Sequence, residues 1–274
     1  MIGILFGLLV VAAAAAVPAR AQQAVRIDLP PGAGVRSLGA TFYRTAGAAP
    51  SPAVVLLHGC GGVGQNLVRM AQHLASQGYA ALLPDSFGAR AIRDACTRNW
   101  PTLADAERRA GDIDAALSWL QAHAGILGDR LAVMGYSYGG GVLLLRALQA
   151  DRPPLWRAAI AVYPDCALAD HADAKLSVSR PLLMALAERD DWTPIWQCRT
   201  LVGHVGSGRD LIETREYAGA QHSFDAVGLP VQYLATAGNR SKPNNCCGAH
   251  YGFHEPAWRQ FVNDVDEFLG RKLR

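Results

Sequence analysis

The chain has 274 residues, of which 50% are hydrophobic and 18% are charged, and its formal net charge at pH 7 is +3. This composition is that of a globular protein, and the length accommodates one α/β domain with a sizeable core. The sequence has no basic run and no charged tail, which argues against a nucleic-acid or anionic-membrane partner.

The first 21 residues differ from the rest of the chain. Ile2–Val17 is a run of apolar and small residues, and Ala19-Arg20-Ala21 follows it. Such a run with an Ala-x-Ala ending predicts a signal peptide over residues 1–21, cleaved before Gln22. The run is shorter than the roughly 20 apolar residues that span a bilayer, and an uncleaved anchor is the alternative. We expect an exported protein, periplasmic or secreted, with no stable membrane anchor once the signal is removed.

Apolar runs alternate with helix-length segments along residues 22–274, which predicts one domain with a mostly parallel sheet and crossover helices. The predicted strands are Val25–Leu29, Val35–Phe42, Ala53–His58, Ala80–Pro84, Leu131–Gly135, Ala158–Tyr163, Leu182–Ala187 and Leu211–Tyr217. The predicted helices are Val63–Gln77, Leu103–His123, Val142–Ala150, Thr193–Val205 and Glu255–Lys272. The fold class is therefore α/β, with an eight-stranded sheet and helices on both of its faces.

Two segments have patterns of their own. In Leu103–His123 the apolar residues recur at helical spacing, and we expect Arg108, Arg109 and Asp112 to lie mostly off that apolar stripe. Gly228–His254 shows neither helical nor strand periodicity. It is predicted to be either a lid-like insertion over the active site or a tethered surface loop.

A serine lies between glycines in VMGYSYGGG, residues 133–141, where Gly135 to Gly139 form a G-x-S-x-G motif. The motif follows a predicted strand and precedes a predicted helix, as a nucleophile on a sharp strand-to-helix turn requires. At such a turn Ser137 projects above the end of the strand, and the amide of Tyr138 faces the same space. The alternative is a serine that only caps the helix.

A serine hydroxyl needs a base to accept its proton, and the base needs a carboxylate to orient it. His222 lies in YAGAQHSFD directly after the last predicted strand, and Asp190 follows the strand before it. Ser137, Asp190 and His222 therefore occur in the chain order of an α/β-hydrolase triad. Asp191 or Thr193 is expected to cap the helix that follows.

The sequence HGCGG, His58–Gly62, ends the third predicted strand. Its glycines allow the backbone to turn its amides toward the serine, so we place the oxyanion between the amides of Cys60 and Tyr138. His58 itself is interpreted as part of the glycine-rich turn.

These motifs resemble those of the dienelactone hydrolase family of α/β hydrolases. The resemblance covers most of residues 50–226 and rests on GYSYGG, on AERDDWTP (similar to the family's G-x-x-D-x-x-x-P), on YAGAQHSFD (similar to Y-x-x-x-x-H-x-F) and on ALLPDSFGAR. It implies the α/β-hydrolase fold, and it puts Asp190, four residues before Pro194, in the acid position. The dienelactone enzymes are cytosolic and have a cysteine nucleophile where this chain has Ser137. The chain is more similar to exported serine members, so a lactone substrate does not carry over.

The expected function is hydrolysis of a small-molecule carboxylic ester through an acyl-enzyme, with no cofactor and no metal. One alternative is an exported serine peptidase of the same fold. A second is a metal-binding protein that uses Cys246, Cys247, His250 and His254. A third is a non-catalytic binding module on the same scaffold. The oligomeric state is left open.

Six cysteines lie in the predicted mature part, and an even number in an exported chain favours disulfides. Four of them follow strands at one edge of the predicted sheet, in neighbouring crossovers, so we expect the pairs Cys60–Cys96 and Cys166–Cys198. Cys246 and Cys247 are adjacent, with Cα atoms about 3.8 Å apart across a trans peptide. They leave two alternatives, a vicinal disulfide or a link between two chains.

Overall fold

A computed structural model describes residues 22–47, 50–97, 102–149, 153–170 and 176–274 of the chain. The predicted signal peptide, residues 1–21, lies outside the described residues. In the described ranges, no helix is both long enough and apolar enough to cross a lipid bilayer.

The strands and helices alternate along most of the chain. The strands are β1 (Gln22–Asp28), β2 (Ser37–Tyr43), β3 (Ser51–Leu57), β4 (Ala80–Pro84), β5 (Ile126–Tyr136), β6 (Ala158–Val162), β7 (Leu182–Ala187), β8 (Ile212–Tyr217), β9 (Gln232–Leu234) and β10 (Ala249–Tyr251). The α-helices are α1 (Gln65–Ser76), α2 (Leu103–Ala122), α3 (Tyr138–Ala147), α4 (Cys166–Ala169), α5 (Ile195–His204) and α6 (Glu255–Leu273).

Eight strands form one sheet in the order β1-β2-β4-β3-β5-β6-β7-β8. Strand β2 is antiparallel to both of its neighbours, whereas β4, β3, β5, β6, β7 and β8 pair in parallel. This confirms the predicted eight-stranded, mostly parallel sheet. The carboxyl ends of the parallel strands meet at one edge of the sheet, where ligands bind in open α/β sheets.

Both faces of the sheet are covered, which explains why its central strands are apolar throughout. Side chains alternate between the faces along a strand. Val55 of β3 packs into the core under α2 and α3, and Val54 packs into the core under α1 and α6. The sheet therefore lies between two hydrophobic cores, and its end is a rigid platform for the loops.

Several predicted bounds differ from the structure, and the starts of β5 and α3 differ most. Strand β5 begins at Ile126, which pairs with Ser51 of β3, and a register shift separates this pair from the continuous pairing that starts at Leu131. Helix α3 begins at Tyr138 rather than at Val142, so the helix includes three consecutive glycines, Gly139–Gly141. Glycine is a poor helix former, and close packing against neighbouring backbone compensates for it here.

The expectation that Arg109 and Asp112 lie off the buried face of α2 is also wrong. Their exposed fractions are 3% and 0%. Asp112 pairs with Arg90 at 2.8 Å, and Arg109 donates a hydrogen bond to the backbone carbonyl of His58. The ion pair with Arg90 offsets the cost of burying the Asp112 carboxylate.

The segment Gly228–His254 contains the antiparallel ribbon β9–β10 and is tied to the loops after β7 and β8. The Trp192 indole N–H donates to the carbonyl of Gly238 at 2.7 Å, and the amide of Gly252 donates to the carbonyl of His222 at 2.9 Å. It is thus a tethered segment that lies beside the candidate active site.

All six cysteines are in disulfides within the chain. Cys60 is joined to Cys96, and Cys166 to Cys198, with Cα–Cα distances of 4.8 and 5.0 Å. These are the two pairs expected from the sequence. Cys246 is joined to its neighbour Cys247.

We predict that non-reducing peptide mapping will return a peptide pair linked through Cys166 and Cys198. Replacing both residues by alanine should lower the free energy of unfolding by about 2–4 kcal/mol, because the bridge restricts the unfolded chain. Urea denaturation measures the loss, and the parent protein under reducing conditions provides the comparison. A mapped link from Cys166 to any other cysteine would contradict the pairing.

Candidate active site

The turn that carries Ser137 joins the end of β5 directly to the start of α3. Ser137 has φ 52° and ψ −119°, a backbone conformation that side-chain-bearing residues rarely adopt. A Cβ on Gly135 would lie 2.4 Å from the carbonyl oxygen of Gly139, and a Cβ on Gly139 would lie 2.5 Å from that of His58. Both glycines of the motif are therefore needed for the chain to pass this closely.

Ser137, His222 and Asp190 form a continuous chain of hydrogen bonds. The Ser137 Oγ lies 2.8 Å from His222 Nε2, and His222 Nδ1 lies 2.8 Å from Asp190 Oδ2. All three side chains are buried. Ser137 occupies the N-cap position of α3, yet its hydroxyl makes no capping hydrogen bond. The structure thus brings together the three residues that the sequence singled out, and the serine is directed at the histidine.

The Asp190 carboxylate is held by its own loop. Its Oδ1 accepts hydrogen bonds from the amides of Trp192 and Thr193 at 2.9 and 2.8 Å. Its Oδ2, which faces His222, lies 3.0 Å from the hydroxyl of Thr193. Two backbone donors fix one oxygen, so the other is left in a defined position for the imidazole.

The expected caps of α5 are not formed. Pro194 occupies the N-cap position, and no side chain caps the helix. The Thr193 hydroxyl instead lies 3.0 Å from the carbonyl oxygen of Tyr163. Asp191 accepts from the backbone amide of His250 at 2.7 Å and lies 2.8 Å from His250 Nδ1. Asp191 therefore anchors the ribbon β9–β10, a contact between segments 59 residues apart in sequence.

A cavity of about 350 Å³ opens over Ser137 and His222. The turn that contains Cys60 forms one wall, and Trp192 and Tyr251 contribute aromatic side chains to another. Tyr138 is the first residue of α3, which places its amide at the amino end of that helix, next to Ser137. The two residues predicted to supply oxyanion donors thus flank the serine.

The role of His58 was missed by the sequence interpretation. Its ring is fully buried; Nδ1 donates to the carbonyl of Gly59 at 2.8 Å, and Nε2 accepts from the amide of Ser86 at 3.2 Å. One neutral tautomer satisfies both bonds. Burial, together with the positive charge of Arg109, lowers the pKa of His58 well below its usual value. His58 therefore acts as a neutral link between the turn that contains Cys60 and the loop after β4.

A second buried group behind His222 was also missed. The Asp225 carboxylate accepts from the hydroxyl of Tyr163 at 2.7 Å and from the side-chain amide of Asn66 at 2.9 Å. Burial raises the pKa of Asp225. The Tyr163 ring packs against the imidazole of His222, with 4.7 Å between ring centroids. The motif HSFD contains Asp225, but nothing in its local pattern indicates partners 62 and 159 residues away.

The four residues of the metal-binding alternative have other partners. Cys246 and Cys247 are joined to each other, His250 pairs with Asp191, and His254 Nδ1 accepts from the amide of Ala257 at the start of α6. Throughout the described part of the chain, no group of three His, Cys, Asp or Glu side chains is arranged to hold a metal ion.

The chain is similar in sequence to known proteins. A family model described as "Dienelactone hydrolase family" matches residues 38–244. A carboxymethylenebutenolidase of Pseudomonas putida is 26% identical over 202 residues, which cover 68% of this chain and 81% of that protein. A Bradyrhizobium protein named "Probable 2-oxo-3-(5-oxofuran-2-ylidene)propanoate lactonase" is 25% identical over 185 residues, which cover 63% of this chain and 73% of the relative.

Solved structures share the fold. The dienelactone hydrolase from Anabaena variabilis superimposes with a TM-score of 0.60 at 19% identity, over 92% of this chain and 98% of that one. At this identity the likeness extends to the fold alone.

Because His58 is neutral in the folded state and binds a proton below about pH 6.5 when unfolded, it should destabilise the protein as the pH falls below that value. We predict that His58→Gln, which keeps an acceptor for Ser86, will flatten this loss. Urea denaturation from pH 8 to pH 5.5 should show the gap between parent and variant shrinking by up to about 1.4 kcal/mol per pH unit. His204→Gln, which removes an exposed histidine paired with Asp170, is the control and should not flatten the loss of stability at low pH. If the free energies of unfolding of parent and His58→Gln change in parallel with pH, His58 is not the neutral buried group described here.

Proposed function

The chain belongs to the dienelactone hydrolase family, and from that premise we propose that it is a serine hydrolase of carboxylic esters. The observation that carries the proposal is the hydrogen-bonded chain from Ser137 through His222 to Asp190. Ser137 is the nucleophile, His222 the general base and acid, and Asp190 the group that orients His222.

The mechanism follows from the contacts of the imidazole. His222 Nε2 accepts the Ser137 proton as Oγ attacks the carbonyl carbon of the ester. The same proton is then given to the alcohol as the bond between the acyl carbon and the alkoxy oxygen breaks. Asp190 fixes the proton on Nδ1 and stabilises the imidazolium while it exists. Water, deprotonated by His222, attacks the acyl-enzyme, and Oγ recovers its proton as the acid departs.

Negative charge develops on the substrate carbonyl oxygen in both steps. We assign its stabilisation to the backbone amides of Cys60 and Tyr138, one at the turn after β3 and the other at the amino end of α3. Both belong to backbone held by close packing, so they need little reorganisation when the charge forms.

The cavity favours a compact ester. Its volume of about 350 Å³ is at the small end for ligand sites, and the glycine-rich turn together with Trp192 and Tyr251 borders it. A lactone is an internal ester that the same steps would open, and the names of the two relatives describe lactone hydrolysis. The dienelactone enzymes have a cysteine where this chain has Ser137, and a serine nucleophile can attack acyclic esters as well as lactones.

We also propose that the protein is exported, as the composition of residues 1–21 predicts. Support comes from the three disulfides, a state that oxidising compartments maintain and the cytosol does not.

The decisive test is Ser137→Ala, matched with Ser223→Ala, which removes another serine of the same cavity. A fluorophosphonate probe should label the parent and Ser223→Ala but not Ser137→Ala. In Ser137→Ala the turnover of p-nitrophenyl acetate and butyrate should fall by several orders of magnitude, as in a comparable triad, where the loss is about 10⁶-fold. A butenolide lactone and a p-nitroanilide, assayed beside the esters, separate the substrate classes. Faster hydrolysis of the anilide would favour the peptidase alternative, and equal labelling of Ser137→Ala would remove the nucleophile.

We predict unequal effects for the neighbouring acids Asp190 and Asp191. In Asp190→Asn the amide oxygen takes the place bonded by the amides of Trp192 and Thr193, so the NH₂ group faces His222 Nδ1. The imidazole must then carry its proton on Nε2, where it cannot accept one from serine, and kcat should fall about 10⁴-fold.

Asp191→Asn is the matched control, since it lies on the same loop but bonds to His250. Its kcat should stay within a few-fold of the parent, and its unfolding free energy should drop by about 1 kcal/mol for one weakened hydrogen bond. The reverse ranking of the two kcat values would exchange the roles assigned here.

A further inference from the structure

The imidazole of His222 packs against two aromatic rings, those of Tyr163 and Trp192, with centroid distances of 4.7 and 4.9 Å. Each ring is tethered at its polar end. The Tyr163 hydroxyl donates to Asp225 at 2.7 Å, and the Trp192 indole N–H donates to the carbonyl of Gly238 at 2.7 Å. Two tethered rings therefore restrict the tilt of the imidazole.

Tyr163 directly follows β6 in an unusual backbone conformation. Its φ is 33°, in a region that side-chain-bearing residues rarely adopt and that occurs preferentially at functional sites. The carbonyl of Tyr163 accepts from the Thr193 hydroxyl at 3.0 Å, and the same hydroxyl lies 3.0 Å from Asp190 Oδ2. The backbone of Tyr163 is thus tied to the carboxylate that orients His222.

Asp225 is a fully buried carboxylate behind Tyr163. Burial raises its pKa, and the hydrogen bonds from Tyr163 and Asn66 and the positive charge of His222 oppose that rise. An apolar pair would fill the same space without the cost of burying a carboxylate. The charge of Asp225 therefore points to a role beyond packing, and the imidazole of His222 is the group that it can serve.

Opposite charges favour each other's ionised forms, so the Asp225 carboxylate favours the imidazolium of His222. Burial and the charge of Asp225 raise the pKa values of Tyr163 and Tyr136 well above the usual value, so both are neutral while His222 titrates. The other titratable side chains around His222 are Asp190, which bonds to Nδ1, and Asp94 and Tyr251, which line the cavity.

We propose that Asp225 is a second positioning acid for His222, which acts through Tyr163 to hold the imidazole toward Ser137 and to favour its protonated form during the reaction. This role depends on the proposed ester hydrolysis, in which His222 accepts and returns a proton. Asp225 is not among the residues that line the substrate cavity, so its effect falls on proton transfer rather than on substrate binding.

The test measures kcat and KM for p-nitrophenyl acetate from pH 5.5 to 8.5, where the acid limb of kcat/KM reports the pKa of His222 in the free enzyme. Asp225→Asn removes the charge at nearly constant shape. The limb should move to lower pH by about half a unit or more, because the imidazolium loses a stabilising anion. The plateau kcat should fall about tenfold while KM stays within about threefold of the parent.

Tyr163→Phe keeps the ring against His222 and removes only the hydroxyl. Asp225 then loses a donor that favours its charge, so the limb should move in the same direction by a smaller amount. The matched controls are Asp264→Asn and Tyr217→Phe, because the Tyr217 hydroxyl donates to Asp264 at 3.0 Å in a similar pair between β8 and α6. Both should keep the limb within about 0.2 pH unit and kcat within about twofold of the parent.

Ser137→Ala separates this role from the proposed function, which fails if that variant retains the parent's esterase activity. With Ser137→Ala inactive, the role of Asp225 is overturned if folded Asp225→Asn keeps the acid limb and kcat of the parent, or if the controls move the limb as far. If circular dichroism shows that Asp225→Asn does not fold, Tyr163→Phe decides, and a limb and kcat equal to those of the parent overturn the role.

Discussion

The candidate site depends on one close approach between two stretches of backbone, the end of β3 and the first turn of α3. Gly139 lies so near the carbonyl of His58 that a methyl group on it would come within 2.5 Å of the oxygen. This contact sets the distance between the turn that carries Cys60 and the turn that carries Ser137. Since β3 and β5 are neighbours in the sheet, the two turns start from adjacent strand ends. The proposed oxyanion donors and the candidate nucleophile are therefore positioned by the geometry of the sheet and by the lack of a side chain on Gly139.

Polar residues buried around this contact link it by hydrogen bonds to the neighbouring helix and loops. The carbonyl of His58 accepts from Arg109, and the His58 ring accepts from the amide of Ser86 after β4. On the other side, Tyr163 connects His222 to Asp225. Buried polar groups of this kind are costly to leave without a hydrogen-bond partner. The same hydrogen bonds also hold the loops that carry the candidate catalytic groups.

Features encoded by local sequence could be predicted, and features that depend on distant partners could not. Ser137, Asp190 and His222 each follow an apolar strand, and a parallel sheet collects such positions at one edge whatever the details of packing. The burial of Arg109 has no comparable local signal, because its position on α2 resembles that of an exposed Arg108. Arg109 is covered by groups distant in sequence, the His58 carbonyl 51 residues away and the rings of Phe87 and Tyr138. Helix α3 was predicted to start late for the same reason: Gly139–Gly141 are poor helix formers alone, and their role appears only against β3 and β6.

Asp190 and Asp191 are adjacent in one loop, but their carboxylates have different hydrogen-bond partners. The chain turns after β7 so that the first carboxylate points inward at His222 and the second outward at His250. The inward carboxylate is fixed by backbone amides of its own loop, so it does not need the ribbon β9–β10 to hold its position. The ribbon in turn supplies Tyr251 to the cavity wall. The hydrogen bond between Asp190 and His222 is therefore held independently of the ribbon that borders the cavity.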